Sequence, residues 1–266
     1  MNVIVCVKQS PDPETPPASF KIDPAANRVI PAPGVPPVIS PFDLQAVEAA
    51  IRIKDAKGAK VTVISLGTNL VMDVIKKPLS MGADELILLQ DETLEGGDSV
   101  STAYALAMAI KKVGQFDLIL CGRQACDWDA GQVGSALAEL LGIPCVTPAK
   151  KIEVLDGKIR VERVIPDGFE VIEANLPAVV TVSNELGEPR YATLKGIMAA
   201  ARKQPIVWKA SDLGVEPGKI GQAGRKIKLL KLYIPVREVK CEIVEGENVA
   251  DAAAKLAVRL REAKLL

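Results

Sequence analysis

The chain has 266 residues, of which 48% are hydrophobic, and its 33 lysines and arginines balance its 33 aspartates and glutamates. This length suits one large α/β domain with a smaller appendage, and the balanced charge favours neither nucleic acid nor a membrane surface as a partner. The chain has no histidine, which argues against a Ser/His/Asp hydrolase and a zinc enzyme, so we predict neither a catalytic residue nor a metal site.

The N-terminal segment predicts a cytoplasmic protein. It passes directly into a strand at 3–7 and shows neither a basic leader nor a small-residue cleavage site. The longest apolar stretches, such as 103–110, fall well short of the ~20 residues that cross a bilayer, so we expect no direct membrane insertion. Cys6 and Cys121 lie inside apolar runs and suit a core.

A long proline-rich segment follows the first strand and excludes a helix between residues 16 and 37. Within it, 21–22 and 28–30 predict a small hairpin. The first helix then begins at Ser40-Pro41-Phe42-Asp43, where serine is the expected N-cap and proline takes the first helical position.

Alternating strand and helix signals continue to residue 141. Strands are predicted at 60–66, 85–89 and 118–121, and helices at 69–77, 100–112 and 131–141, with Pro78 ending or kinking the first of these helices. Continuous apolar strands that alternate with helices predict an α/β fold with a doubly wound, mostly parallel sheet. Its ligand site should lie at the carboxyl ends of the strands, where the loops after Cys6, Leu66, Leu89 and Cys121 converge.

The segment 116–142, FDLILCGRQACDWDAGQVGSALAELLG, carries the strongest binding signal. The free N–H groups of Gly131, Gln132 and Val133 at a helix start favour an anion, whereas Asp127 and Asp129 suit ribose hydroxyls or the turn itself. An ordinary strand-to-helix crossover with a glycine-bearing loop is an equal alternative for this segment alone.

The periodicity changes after Pro148. Alternating polar and apolar residues predict a small antiparallel β addition, a meander at 150–174, before a buried strand at 177–182. The loop 184–203 ends in a short basic helix, and it completes a predicted domain of residues 1–208. Residues 209–266 hold an apolar run at 226–236 and an amphipathic helix at 249–265 but little core, so we expect a C-terminal arm that wraps a partner subunit; a closing lobe on the same chain is the alternative.

Taken together, the chain resembles the beta (small) subunit of electron transfer flavoproteins over nearly its whole length. The segments that match in order and spacing are VCVKQSPD at 5–12, SPFDLQAVEAAIRIK at 40–54, SMGAD at 80–84, CGRQACDWDAGQVG at 121–134 and, as the family's signature, LPAVVTVSNELGEPRYATLKGIMAAARKQ at 176–204. The resemblance implies a Rossmann-like nucleotide-binding domain and a heterodimer with an alpha subunit that carries FAD. It further implies electron transfer to an acyl-CoA dehydrogenase, a similar flavin dehydrogenase or a quinone oxidoreductase.

The same resemblance implies the residues that contact the nucleotide. They come from the first strand, the first helix start, the second strand, the third helix start and the loop after the fourth strand: Cys6, Ser40, Pro41, Phe42, Asp43, Leu66, Asp98, Ser99, Thr102, Gly122, Arg123, Gln124, Ala125, Asp127, Asp129, Ala130, Gly131, Gln132, Val133 and Gly134. Asp98 is expected to cap its helix rather than touch a phosphate, because two anions in contact repel each other.

Family members differ in the nucleotide that they bind. Conventional members carry AMP and read D-D-D followed by N-Q-T-G, whereas electron-bifurcating and nitrogen-fixation-associated members carry a second FAD and read D-G-D-T-A-Q-V-G. Residues 127–134, DWDAGQVG, and residues 97–106, GDSVSTAYAL, side with the FAD form, although Trp128 and Gly131 depart from it. We therefore expect FAD in this subunit, within a bifurcating type of complex, with AMP as the alternative.

The resemblance also implies that 184–203 is the recognition loop for the dehydrogenase. Leu194 aligns with the family's anchoring leucine, and the predicted docking residues are Arg190, Leu194, Ile197 and Met198. An exposed apolar anchor with a charged rim is typical of a small transient interface. From the residues alone, packing of Leu194 under its own short helix is an equal alternative.

Overall fold

The computed structural model describes residues 1–235 and 241–266, which form two compact units, Met1–Leu230 and Lys231–Leu266. Residues 209–230, which the sequence assigns to the arm, belong to the first unit, where Leu213 and Ile220 are buried. Residues 236–240, which include the end of the apolar run, lie outside the described residues. That the arm wraps a partner subunit stays a prediction.

The strands of the large sheet in the first unit alternate with helices as far as residue 141. In chain order the strands are β1 (Asn2–Val7), β2 (Gln9–Ser10), β3 (Lys21–Asp23), β4 (Arg28–Ile30), β5 (Val38–Ile39), β6 (Lys60–Leu66), β7 (Glu85–Leu89), β8 (Leu118–Gly122), β9 (Cys145–Val154), β10 (Lys158–Ile165), β11 (Gly168–Asn175), β12 (Ala178–Val182) and β13 (Ile206–Trp208).

The helices are α1 (Pro41–Lys57), α2 (Met72–Ile75), α3 (Lys77–Met81), α4 (Ser99–Val113), α5 (Val133–Leu141), α6 (Leu194–Arg202), α7 (Ala210–Leu213) and, in the second unit, α8 (Val249–Glu262). Within the described part of the chain, no helix is both long enough and apolar enough to cross a membrane.

One sheet of nine strands organises the first unit, in the order β11-β10-β9-β12-β8-β1-β6-β7-β13. Strands β9, β12, β8, β1, β6, β7 and β13 run parallel, while β10 and β11 pair antiparallel beside β9. The predicted α/β class, with a mostly parallel sheet and a small antiparallel addition, is confirmed. The predicted hairpin is also present, as the pair β3–β4.

The sheet separates two cores, because alternate residues of each strand point to opposite faces. On one face Val3 and Val5 pack with α1 residues such as Val47. On the other face Ile4 packs with Ile110 of α4 and Leu137 of α5. Residues of β1, β8 and β12 are buried on both faces, which explains why the sequences of these strands are almost entirely apolar.

Two helices differ from the sequence prediction. The helix expected at 69–77 is divided into α2 and α3, and Pro78 lies in the first turn of α3, where a proline's missing N–H group loses no hydrogen bond. The helix expected from Gly131 begins at Val133 as α5, because Gly131 has φ +62° and cannot be helical. At α1, Ser40 occupies the N-cap position but its side chain makes no capping hydrogen bond.

The start of α4 is closed by Asp98. Its Oδ1 accepts from the N–H groups of Val100 and Ser101, and its Oδ2 accepts from those of Lys226 and Ile227 at 2.6 and 3.0 Å. Desolvation opposes ionisation, but these backbone donors outweigh it and lower the pKa of Asp98 to about 2. Asp98 therefore caps its helix, as the sequence predicts, and also fastens residues 226–227 to it.

Replacing Asp98 with alanine should lower the free energy of unfolding by about 1–2 kcal/mol, because it removes the helix cap and leaves the N–H groups of residues 226–227 without their acceptor. Urea denaturation at pH 7 measures this loss. Since the folded pKa is lowered, the stabilisation is present above the unfolded value of 3.8 and is lost as the pH falls through about 2. The control Asp73→Ala removes an exposed carboxylate from the first turn of α2. Equal losses for the two variants would contradict the prediction.

Candidate functional site

The topology creates a crevice between β1 and β8. The chain builds the sheet from β1 through β6 to β7 and then crosses to β8 on the other side of β1. The loops that follow β1 and β8 therefore leave the sheet in opposite directions, and ligands of doubly wound folds bind at the carboxyl ends of the strands at this reversal. Most of the predicted nucleotide residues belong to these two loops and to the start of α1.

Asp43, in the first turn of α1, joins the two strand ends. Its Oδ2 accepts from the N–H group of Lys8 at 2.8 Å, and its Oδ1 accepts from the N–H group of Gly122 at 3.1 Å. Gly122 is required at this point because a Cβ atom there would collide with Asp43 and would lie 2.8 Å from Phe42 Cβ. The carboxylate is 7% exposed. Burial, opposed by these two hydrogen bonds, raises the pKa of Asp43 to about 7.

A second connection joins the same loops through side chains. Lys8 Nζ lies 2.7 Å from both carboxylate oxygens of Asp127, and the Ser10 hydroxyl lies 3.1 Å from Cys126 Sγ. Lys8 is absent from the residues predicted from the sequence. A signal for it exists, since Lys8 is the first residue after a buried strand at the carboxyl edge of the sheet.

The loop after β8 is shaped by its own side chains. The Gln124 amide donates to Asp129 Oδ1 at 2.8 Å, and the Asp129 N–H group donates to the Ala125 carbonyl at 2.9 Å. Asp129 adopts φ +50°, in the left-handed region that only glycine enters freely. The sequence suits Asp129 either to ribose hydroxyls or to the turn itself, and the structure shows that Asp129 stabilises the turn.

The start of α5 is available to an anion. Gln132 is the N-cap, and α5 has no side-chain cap hydrogen bond, so the N–H groups of its first turn are not satisfied by a side chain. Gly134 lets the helix approach β12, because a Cβ atom there would lie 2.5 Å from Thr181 Cγ2. Ala130, Gly131 and Gln132 are exposed in this loop.

Arg123 lies on the β12 side of the crevice. Its guanidinium carbon is 4.9 Å from the centre of the Phe42 ring, and its Nη1 donates to the Ser183 hydroxyl at 3.4 Å. Arg123 Nε and Ser40 Oγ are both buried without a hydrogen-bond partner among residues 1–235 and 241–266. Most buried polar atoms in folded proteins have a hydrogen-bond partner, so these two atoms are candidates for binding a ligand or water.

The remaining predicted nucleotide residues are less closely connected. Cys6 is buried in β1 opposite Cys121 of β8, and a hydrogen bond between the thiols, together with burial, raises the pKa of Cys121 well above its usual value. Leu66 ends β6, beside β1. Asp98, Ser99 and Thr102 lie at the start of α4, beyond β7, where Asp98 contacts residues 226–227.

The predicted docking residues form an exposed group around α6. The side chains of Leu194, Ile197 and Met198 are 75%, 51% and 54% exposed, so Leu194 does not pack under its own helix. Arg190 differs from these three because its guanidinium is bound to Glu48 and Asp55 of α1.

Comparison with known proteins agrees with this architecture. Residues 29–213 match the family model described as the electron transfer flavoprotein domain. The chain is 43% identical over 242 residues to the electron transfer flavoprotein subunit beta of Megasphaera elsdenii, with 88% of each chain covered. It is 38% identical over 267 residues to subunit CarD of the caffeyl-CoA reductase–Etf complex of Acetobacterium woodii, with 100% of each chain covered. This chain belongs to the electron transfer flavoprotein beta-subunit family.

A further relative is the protein FixA of Azorhizobium caulinodans, 35% identical over 266 residues, with 97% of this chain and 93% of FixA covered. The family resemblance stated from the sequence is therefore confirmed. The individual nucleotide contacts and docking contacts stay predictions.

Because the pKa of Asp43 is raised, we expect the stability of the protein to depend on pH. Because folding favours the protonated carboxyl group, its stabilisation is full below the unfolded value of 3.8 and is lost as the pH rises through about 7. As the pH rises between these limits, the free energy of unfolding of the wild type should fall relative to that of Asp43→Asn. The difference should reach about 1.4 kcal/mol per pH unit. Denaturant titrations of both proteins from pH 5 to pH 8 measure the difference, with Asp167→Asn, at an exposed turn, as the control. Parallel pH profiles for wild type and Asp43→Asn would refute the assignment.

Proposed function

We propose that this chain binds FAD in the crevice between β1 and β8 and acts as the beta subunit of an electron carrier. Its partner would be an alpha subunit with a second FAD, and the pair would pass electrons between a donor and an acyl-CoA-dehydrogenase-type or quinone-oxidoreductase-type protein in the cytoplasm. The observation that carries the proposal is the loop that runs from Gly122, held by Asp43, to the uncapped start of α5.

The residues of the crevice fit a nucleotide diphosphate. The first turn of α5 offers backbone N–H groups and the positive end of the helix dipole, and the exposed Gly131 beside it has no side chain to cover its backbone. Ser40 Oγ and Arg123 Nε, which are buried without a partner among the described residues, would each donate a hydrogen bond to a phosphate oxygen. When bound, FAD supplies the electron-transfer chemistry; the residues of this chain bind and orient it, and we propose no catalytic residue.

The choice of FAD over AMP rests on two segments and on the named relatives. DWDAGQVG at 127–134 and GDSVSTAYAL at 97–106 resemble the FAD-binding members. Relatives that align over nearly the whole chain include a subunit of a reductase–Etf complex and FixA. We therefore propose an electron-bifurcating type of complex, which uses NADH as a donor, and keep a structural AMP as the competing form.

Exposed apolar side chains support the proposed alpha-subunit partner. At the end of the first unit Ile227 and Leu230 are 58% and 79% exposed. Within the second unit none of the described residues is buried, and α8 exposes Val249, Leu256 and Val258. Apolar surface of this kind marks a site of protein association.

The absorbance spectrum of the purified heterodimer should show two flavins per dimer. Replacing Gly131 with valine should leave one flavin, that of the alpha subunit, because a β-branched residue cannot adopt φ +62° without moving the loop that holds the nucleotide. One flavin in the wild type, with AMP released on denaturation, would establish the AMP form instead.

The matched control for this experiment is Gly142→Val. Gly142 has φ +67°, so valine there introduces the same backbone strain, but at the opposite end of α5 and with no atom within 4 Å of the new Cβ. This control should keep both flavins. Loss of a flavin in both variants would mean that strain in α5, not its N-terminal loop, governs retention.

Truncating Leu194 to alanine should weaken binding of the dehydrogenase by about 2 kcal/mol, or roughly thirty-fold, if its exposed side chain fills a pocket on the partner. The KM for an acyl-CoA dehydrogenase measures the effect, while flavin content should stay unchanged. Leu140→Ala, at an exposed leucine of α5, is the control. An unchanged KM for Leu194→Ala, or a loss of flavin, would show that Leu194 is not a docking residue.

A further inference from the structure

A buried carboxylate of α1 lies at the base of the recognition segment. Glu48 is only 4% exposed, although it lies on the first long helix and far from the predicted docking residues in sequence. Its Oε2 accepts from Arg190 Nε at 2.8 Å and from the Arg190 N–H group at 3.1 Å. Its Oε1 accepts from Arg52 Nε at 2.8 Å and from Arg190 Nη2 at 3.3 Å. One carboxylate thus holds both the side chain and the backbone of Arg190.

The two arginines extend this contact to both ends of a turn. Arg52 Nη1 donates to the carbonyl of Leu186 at 3.1 Å, and Arg190 Nη1 donates to Asp55 Oδ2 at 2.8 Å. Between Leu186 and Arg190 the chain turns at Gly187, whose φ of +99° is accessible to glycine. The turn is therefore fastened to α1 at its first and last residues.

The chain changes from anchored to exposed immediately after Arg190. Tyr191 is 96% exposed, and Leu194, four residues beyond Arg190, is 75% exposed. An exposed apolar tip gains affinity when its base is already ordered, because binding then pays less conformational entropy. Burial of Glu48 acts against its charge, but the hydrogen bonds from Arg190 and Arg52 outweigh it, so the pKa of Glu48 stays below its usual value.

We propose that Glu48 is a positioning residue for partner docking: it holds the turn 186–190 on α1 through Arg190 and Arg52 and so presents Leu194 in its binding conformation. This inference rests on the proposed docking function of α6. Glu48 touches neither the partner nor the nucleotide in this arrangement. It acts on the affinity for the dehydrogenase and leaves the flavin site unchanged.

The decisive variant is Glu48→Gln, which keeps the shape of the side chain but removes the charge that orders both arginines. In the reconstituted heterodimer, the KM for an acyl-CoA dehydrogenase should rise about tenfold with kcat unchanged. Flavin content and the rate of reduction of a small dye, 2,6-dichlorophenolindophenol, should not change, because the dye needs no docking surface. Trypsin should also cleave faster after Lys195, since the loop is released.

Arg190→Lys gives an independent test, because lysine keeps the positive charge but cannot make the forked contact with Glu48. We expect Arg190→Lys to raise the KM for the dehydrogenase as well. It can therefore replace Glu48→Gln if that variant does not fold. The control is Glu85→Gln, whose ion pair with Lys60 lies on the surface, and it should leave every readout unchanged. A parallel fall of dye reduction, flavin content and kcat in Glu48→Gln would show a general structural role and overturn the proposal.

Leu194→Ala separates this inference from the docking assignment itself. If Leu194→Ala raises the KM while Glu48→Gln and Arg190→Lys leave it unchanged, docking stands and the positioning role of Glu48 is wrong. If Leu194→Ala leaves the KM unchanged, the docking function on which the inference rests is wrong.

Discussion

The contact of Asp43 with the N–H groups of Lys8 and Gly122 is the constraint on which the crevice depends. These two groups belong to the ends of β1 and β8, the strands on either side of the point where the sheet reverses direction. Because Asp43 lies in the first turn of α1, the same contact fixes where that helix begins. This contact requires glycine at position 122, because any side chain there would enter the space that Asp43 and Phe42 occupy.

Helix α1 connects the crevice with the recognition segment. Its first turn carries Asp43, while Glu48 and Arg52 hold the turn 186–190 further along. Ion pairs on a protein surface contribute little to stability, but Glu48 is buried and both of its oxygens are engaged, so the geometry of this pair is fixed. One rigid element thereby positions both proposed sites without any flexible connection between them.

Local sequence patterns predict the strands and helices of this chain, but they do not predict its contacts between residues far apart in sequence. Apolar runs indicate β1 and β8, the largely apolar segment 60–66 indicates β6, and the turn residues and prolines locate the hairpin β3–β4 and the start of α1. The pairing of Lys8 with Asp127 joins residues 119 positions apart, and that of Arg190 with Glu48 spans 142 positions, so neither partner could be chosen from sequence spacing. From the sequence alone Arg190 is a predicted docking residue, and the structure adds that its guanidinium binds Glu48 and Asp55 of α1.

The charges around the crevice explain why the proposed site depends on the backbone. The Lys8 ammonium is paired with Asp127, and the Arg123 guanidinium stacks on Phe42 with its buried Nε lacking a partner among the described residues, so these two cations leave little positive charge free for a ligand. The first turn of α5, in contrast, has no side-chain cap. A site built from backbone N–H groups responds to the path of the loop more than to its side chains. The exposed side chains of Trp128 and Ala130 then matter less to the proposed site than the left-handed turn at Asp129 and Gly131, which sets the path of the loop.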